Sequence, residues 1–135
     1  MRPSRCSDPM AHPHHHAVSS ARKFGGVPED YHALHSWFDQ TKSHLADARH
    51  RAILHSSFGI YLAEQVFGIT ITRASDGVQV PTRTLGEQHV REDMGRIPSL
   101  QDWLGELPLR PWMARYASNP VADISSPTST KVITP

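Results

Sequence analysis

The apolar positions of this chain fall into blocks of different period, and the blocks predict its elements. Tyr31, Leu34, Phe38, Thr41 and Leu45 recur at spacings of three and four, the period of one buried helix face. The helix they define starts near Pro28, a favoured first-turn residue, with Glu29 and Asp30 at the positive end of its dipole. His32, His35, Asp39 and Lys42 form a second stripe on the flank of that face, where a polar group is half sheltered. Over residues 47–67 the apolar side chains (Ile53, Leu54, Phe58, Ile60, Leu62 and Val66 among them) fall all around the wheel. That pattern predicts one long central helix, covered on most sides and stopped by Gly68.

β-Branched alternation in residues 69–72 and 78–80, on either side of Asp76-Gly77, predicts a hairpin whose second strand ends at Pro81. Residues 86–94 read as a short helix closed by Gly95. Another opens at Ser99, spaced with Asp102 as a capping box. It ends at Pro108 and Pro111, with Trp112 and Met113 expected to pack back on the core. Near the start, residues 17–24 form a short helix stopped by Gly25-Gly26, and His14, His15 and His16 lie on a flexible surface segment before it. The expected fold is mainly α with a β-hairpin (α+β), a compact helical domain of about four to five helices. It spans residues 13–115, between a disordered start (1–12) and a disordered Ser, Thr and Pro-rich tail (116–135).

Composition narrows the partners. Of 135 residues 38% are hydrophobic, below the usual share of about 45%, and the deficit lies at the two ends. With 14 basic and 13 acidic residues the formal charge is +1. Such a balance gives no strong pull toward nucleic acid or membrane, and no apolar run approaches the about 18 residues of a span. The one cysteine, Cys6, excludes an intramolecular disulfide, and the start lacks the apolar stretch of a signal peptide. The expected compartment is the cytoplasm. Met1 and Met10 are both candidate starts, because the patterned sequence begins after Met10.

Ten histidines concentrate the remaining chemistry. His35 and Asp39 are four apart, as are His89 and Asp93, so each pair can meet on one helix face and share a divalent metal. Arg51 and His55 have the same spacing. Burial beside a cation favours neutral imidazole, the form that ligates metal or acts as a base. His35, Asp39, His55, His89 and Asp93 are therefore candidate ligands of zinc, manganese or iron. His50, Arg51 and Lys42 are candidates for stabilising an anionic substrate. His50 and Glu64 cannot share an ion, because 14 residues of continuous helix would hold them about 21 Å apart. Each group also has a structural alternative: a flank histidine bonded to a carboxylate, a buried network, or, for His89 to Asp93, a solvated surface.

The strings His35-Ser36-Trp37-Phe38-Asp39 with Lys42, Arg49-His50-Arg51-Ala52 through His55 and Gly59, and Gly86-Glu87-Gln88-His89-Val90 with Glu92-Asp93 and Ile97-Pro98 resemble a family of small, His-rich bacterial and phage proteins catalogued as a domain of unknown function. The resemblance covers about residues 10–113. It implies a common fold and one shared polar site, and carries no known activity. A weaker likeness links Arg51-Ala52-Ile53-Leu54-His55-Ser56 to the first motif of histidine-aspartate phosphohydrolases. Those enzymes also need a His-Asp doublet in the following helix, which this sequence lacks. Two functions remain open: a divalent-metal-dependent hydrolase of a small phosphorylated or nucleotide-like substrate, and a non-enzymatic binding module in which the His and Arg residues form a structural network. Neither choice sets the oligomeric state.

Overall fold

The structure, a computed structural model, describes residues 11–114. Five α-helices, a two-stranded hairpin and several 3-10 turns follow in order: α1 (Ala11–Phe24), α2 (His32–Phe38), α3 (Ser57–Phe67), β1 (Thr70–Thr72), β2 (Gln79–Pro81), α4 (Thr82–Met94) and α5 (Leu100–Leu104). The mainly helical α+β architecture is the expected one. The expected tail and residues 1–10, with Cys6, lie outside the described residues. The chain divides into two units, residues 1–103 and 104–135. In the second, the described residues form a turn closed by Leu107 N–H to Leu104 O (3.0 Å) and a 3-10 turn, Pro111–Ala114. Trp112 there is 72% exposed rather than packed on a core.

In the first unit α4 is the axis, packed against α1, α2 and α3. Ala17, Tyr31, Leu34, Phe38, Ile60, Ala63, Val80, Leu85 and Val90 form the apolar core. Small residues set the close approaches. Ala17 and Ser20, both fully buried, let α1 lie down, and Gly86 of α4 leaves only 3.1 Å between an imagined Cβ and the Phe38 ring. The hairpin pairs Thr70 with Pro81, Ile71 with Val80 and Thr72 with Gln79, and Gly77 turns it at φ 78°, as the Asp-Gly signal requires. α4 begins at Thr82, earlier than expected. Ser99 and Asp102 exchange the bonds of a capping box, at 2.9 and 3.0 Å.

Three elements differ from expectation. The long central helix does not exist. Asp47 caps a 3-10 turn, Ala48–Arg51, Ile53 then reverses the chain at φ 78°, and Ser56 caps a new helix by accepting from Gly59 N–H at 3.1 Å. Two N-cap residues inside one apolar run supply the break. Because the two halves point differently, the single wheel does not hold: Tyr61 and Val66 are 52% and 59% exposed. The long-helix separation of His50 and Glu64 lapses with it; Glu64 lies 3.6 Å from Arg83 instead. The helix after Pro28 is likewise segmented, into a 3-10 turn, α2 and the 3-10 turn Gln40–Ser43, and Leu45 is exposed. Finally, α1 starts at Ala11 and carries Pro13 in its first turn, where a proline costs little. His16 is thereby inside the fold, 5% exposed, and not on a flexible segment.

Candidate metal centre

Among the described residues buried polar side chains outnumber buried apolar ones, and they include His16, His35, His50, His55 and His89. Each comes from a different piece of chain. α1 supplies His16 and α2 supplies His35. Asp39 stands at the C-terminal cap of α2, His50 on the 3-10 turn, His55 in the reversal before α3, and His89 and Asp93 one turn apart on α4. The reversal is held in place by Ser57 N–H to Pro98 O (2.8 Å), Trp103 Nε1–H to His55 O (2.8 Å) and a Thr41 hydroxyl bond to His50 O. Gly59 lets it pass over α3, since a Cβ there would stand 1.8 Å from Leu54 O.

Asp39, His55, His89 and Asp93 each direct one ligand-type atom to a common point, all within 4.8 Å of one another. His55 Nε2 is 2.9 Å from Asp93 Oδ2 and 3.5 Å from Asp39 Oδ1. His89 Nε2 is 3.3 Å from Asp93 Oδ2 and 3.5 Å from Asp39 Oδ1. Ligands about 2.0–2.2 Å from one ion are separated by about 3.3–3.6 Å in a tetrahedron and about 3 Å at octahedral edges. The four His–Asp separations match those edges, so this buried His/Asp group can hold a metal ion.

The polar atoms left over point the same way. Asp39 Oδ2, His50 Nε2 and His89 Nε2 are buried without a hydrogen-bond partner, a condition native interiors avoid. His50 Nδ1–H donates to Asp47 O at 2.8 Å, and its Nε2 lies 3.9 Å from Asp39 Oδ1. Arg51 lies at the more open edge, its side chain 23% exposed and its Nη2 3.8 Å from Asp93 Oδ1.

The electrostatics are those of alternating charge. Burial disfavours the charged form of Asp39 and Asp93, but hydrogen bonds from His16 and His55 to Asp93, and the His55 imidazole beside Asp39, hold both carboxyls well below the usual range. Burial opposes charge on His16 and His55 too; bonding to Asp93, with Glu92 or Asp39, nevertheless raises both. His16 donates from both ring nitrogens, to Glu92 at 2.7 Å and Asp93 at 3.2 Å. Burial pushes His35, with no carboxylate partner, down to about 2, so it is neutral.

Of the candidate residues, Asp39, His55, His89 and Asp93 meet directly. His35 stands behind His89, Nδ1 to Nδ1 at 2.9 Å. His50 and Arg51 border the group, and Lys42 is half-buried on the turn after Asp39. His32 is exposed, against Ser36. His89 is fully buried, unlike a solvated-surface histidine, whereas Glu87 and Arg91 pair across the wet face at 3.9 Å. The sequence reading missed His16, Ser20, Gln88 and Glu92. Their signal was present as the four-residue spacings His16–Ser20 and Gln88–Glu92, flanked by small residues that permit close packing.

The chain is thus a mainly helical α+β domain with an internal His/Asp cluster. It belongs to the family described as a domain of unknown function, DUF6915, whose family model matches residues 11–113. No curated protein and no solved structure matches it. Among the described residues no helix is long and apolar enough to cross a membrane.

Proposed function

We propose that this domain is a divalent-metal-dependent hydrolase of a small phosphorylated or nucleotide-like substrate, with Asp39, His55, His89 and Asp93 as ligands. The observation that carries the metal is the convergence of two buried imidazole nitrogens and two carboxylates at coordination-edge distances, with His89 Nε2 and Asp39 Oδ2 otherwise unpartnered. A bound ion would supply Lewis acidity toward a phosphoryl oxygen and a lowered pKa for water. Arg51 supports the anionic substrate: its guanidinium is at the open edge and suits a phosphate's paired oxygens. Lys42 is the second cation assigned to that anion. With Nδ1 committed to Asp47 O, His50 has only Nε2 to turn toward the site.

A non-enzymatic module, in which the cluster is structural, is favoured by one observation. The clefts of about 280 and 160 Å³ on this unit are lined by Lys23, Thr84 and Arg91 or by Ser57, Tyr61 and Arg83, with neighbours, and neither gathers the four ligands. Elemental analysis separates the two readings. The untagged full chain, purified without nickel resin, is expected to carry about one zinc, manganese or iron, lost in His55→Ala and His89→Ala. A phosphatase and nuclease screen of the loaded protein then tests the reaction. No metal above background, and stability unaffected by chelator, would sink the metal assignment.

A further inference from the structure

The hydrogen bonds behind His89 determine which of its ring nitrogens is free, and they start at Gln88. The Gln88 amide nitrogen donates to His16 O and to Glu92 Oε1, both at 3.1 Å. Flipping the amide would set its oxygen against two acceptors, so its orientation is fixed. Gln88 Oε1 therefore faces Ser20 Oγ at 2.6 Å, and the hydroxyl must spend its single proton there. Ser20 Oγ is left to accept, so His35 Nε2–H donates to it at 2.8 Å. Fully buried and with no anionic acceptor at either ring nitrogen, His35 carries one proton; with that proton on Nε2 its Nδ1 presents a lone pair, and His89 Nδ1, 2.9 Å away, must supply the hydrogen. A ring whose Nδ1 is committed as a donor can offer a ligand lone pair only at Nε2. In His89 that nitrogen lies 3.5 Å from Asp39 Oδ1 and 3.3 Å from Asp93 Oδ2.

We propose that Gln88, Ser20 and His35 are positioning residues that lock His89 in the tautomer whose Nε2 lone pair faces a divalent cation, an assignment that rests on the metal-binding proposal above. Every link is buried: Ser20, His35 and His89 are fully covered and Gln88 nearly so. Water therefore does not compete for the bonds. The links also come from α1, α2 and α4, so three helices must be in register for the relay to close. With Nδ1 committed, Nε2 meets the two carboxylates either by carrying a second proton, as a purely structural network would have it, or by giving its lone pair to a cation that lies among them, and the response of Nε2 to zinc separates the two. Fixing a ligand's tautomer from behind in this way is how outer partners tune metal affinity.

Long-range 1H–15N NMR of the uniformly 15N-labelled full chain, before and during a zinc titration, tests the relay on the unaltered protein. The expected pattern is a protonated-type Nδ1 for His89, an unprotonated-type Nδ1 with a protonated-type Nε2 for His35, and a zinc-dependent shift at His89 Nε2. In Ser20→Ala, which removes one oxygen and adds no bulk, zinc-free melting should drop because Gln88 Oε1 and His35 Nε2–H lose their partner, and zinc affinity, measured well below both melting points, should fall about tenfold to hundredfold. An unprotonated-type His89 Nδ1, or unchanged affinity in Ser20→Ala, overturns the relay even if zinc binds. Expected ring shifts that zinc does not move would leave the tautomer standing and refute the metal assignment, and the ligand role with it.

Discussion

Asp39→Asn is the sharpest perturbation of the centre, because it changes one oxygen for one nitrogen and removes a ligand charge. Asp39 Oδ1 is 3.5 Å from both His55 Nε2 and His89 Nε2, and its side chain is 6% exposed. The existing separations need to change by only a few tenths of an ångström to suit ligands about 2.0–2.2 Å from an ion. Binding to such a preformed site adds directly to folding stability. At zinc a thousandfold above Kd the wild-type gain is about 4 kcal/mol, which for a domain of this size raises Tm on the order of 20 °C. A neutral amide is a far poorer ligand than a carboxylate. If it weakens zinc about a hundredfold, about 2.7 kcal/mol of that gain is lost at the same zinc concentration. The assay is a thermal melt of each chain with chelator and then with zinc in excess. Each chain's own chelator-treated Tm is its reference, so any intrinsic effect of the substitution cancels. Equal zinc-induced shifts in wild type and Asp39→Asn, or none in either, would refute the reasoning.

Three further outcomes follow from the same contacts. Gly59→Ala places a Cβ 1.8 Å from Leu54 O; the reversal carrying His55 must move, and urea melts should show a loss of about 3 kcal/mol or more. His16→Ala removes the cation shared by Glu92 and Asp93, so the zinc-free protein should lose about 3 kcal/mol in the same assay; a change within error would show the pairing to be inconsequential. In zinc-free protein, stability should fall on both sides of a mildly acidic optimum. Asp39 and Asp93, depressed in the fold, contribute above their unfolded range and lose that contribution as pH falls through the folded pKa. His16 and His55, raised in the fold, contribute below about 6.5 and lose it as pH rises through their folded pKa. Denaturant midpoints measured across pH would contradict this if they stayed flat from acid to neutral.

Much of the centre was legible because it uses short-range spacing. His89 and Asp93 are one turn apart on a continuous helix, and periodicity alone puts them together. His35 and Asp39 have that spacing too, but α2 ends at Phe38. Asp39 therefore turns into the centre while His35 stays behind His89, and a spacing rule cannot separate a ligand from the residue that orients it. The break near His55 was hidden by the apolar run around it: Ile53 and Leu54 look like helix core, whereas Ile53 holds φ 78° and is 44% exposed. Only the cap pairs Asp47–Arg49 and Ser56–Gly59 betray the change of direction. His16 was lost for the opposite reason. Its neighbours His14 and His15 are exposed, and a run of three histidines reads as surface although its third member faces inward.

The buried cluster is hard to explain as a stabilising device. Replacing a buried ionic network by apolar side chains of similar volume is commonly neutral or favourable, and this domain already has a modest apolar core. A network kept for specificity should at least be complete, since partly satisfied groups cost more than none. Here Asp39 Oδ2, His50 Nε2, His55 Nδ1, His89 Nε2 and Arg51 Nε are all buried and unpartnered. Three of the five atoms, Asp39 Oδ2, His50 Nε2 and His89 Nε2, belong to residues at or beside the point where the four ligand groups converge, and His89 is held toward that point by three others. Errors of folding would scatter such orphans. Their concentration at one place, supplied by segments from α2 to α4, is what a binding position requires, and an ion that accepts lone pairs from both nitrogen and oxygen can take those of His89 Nε2 and Asp39, unpartnered groups that belong to converging ligands.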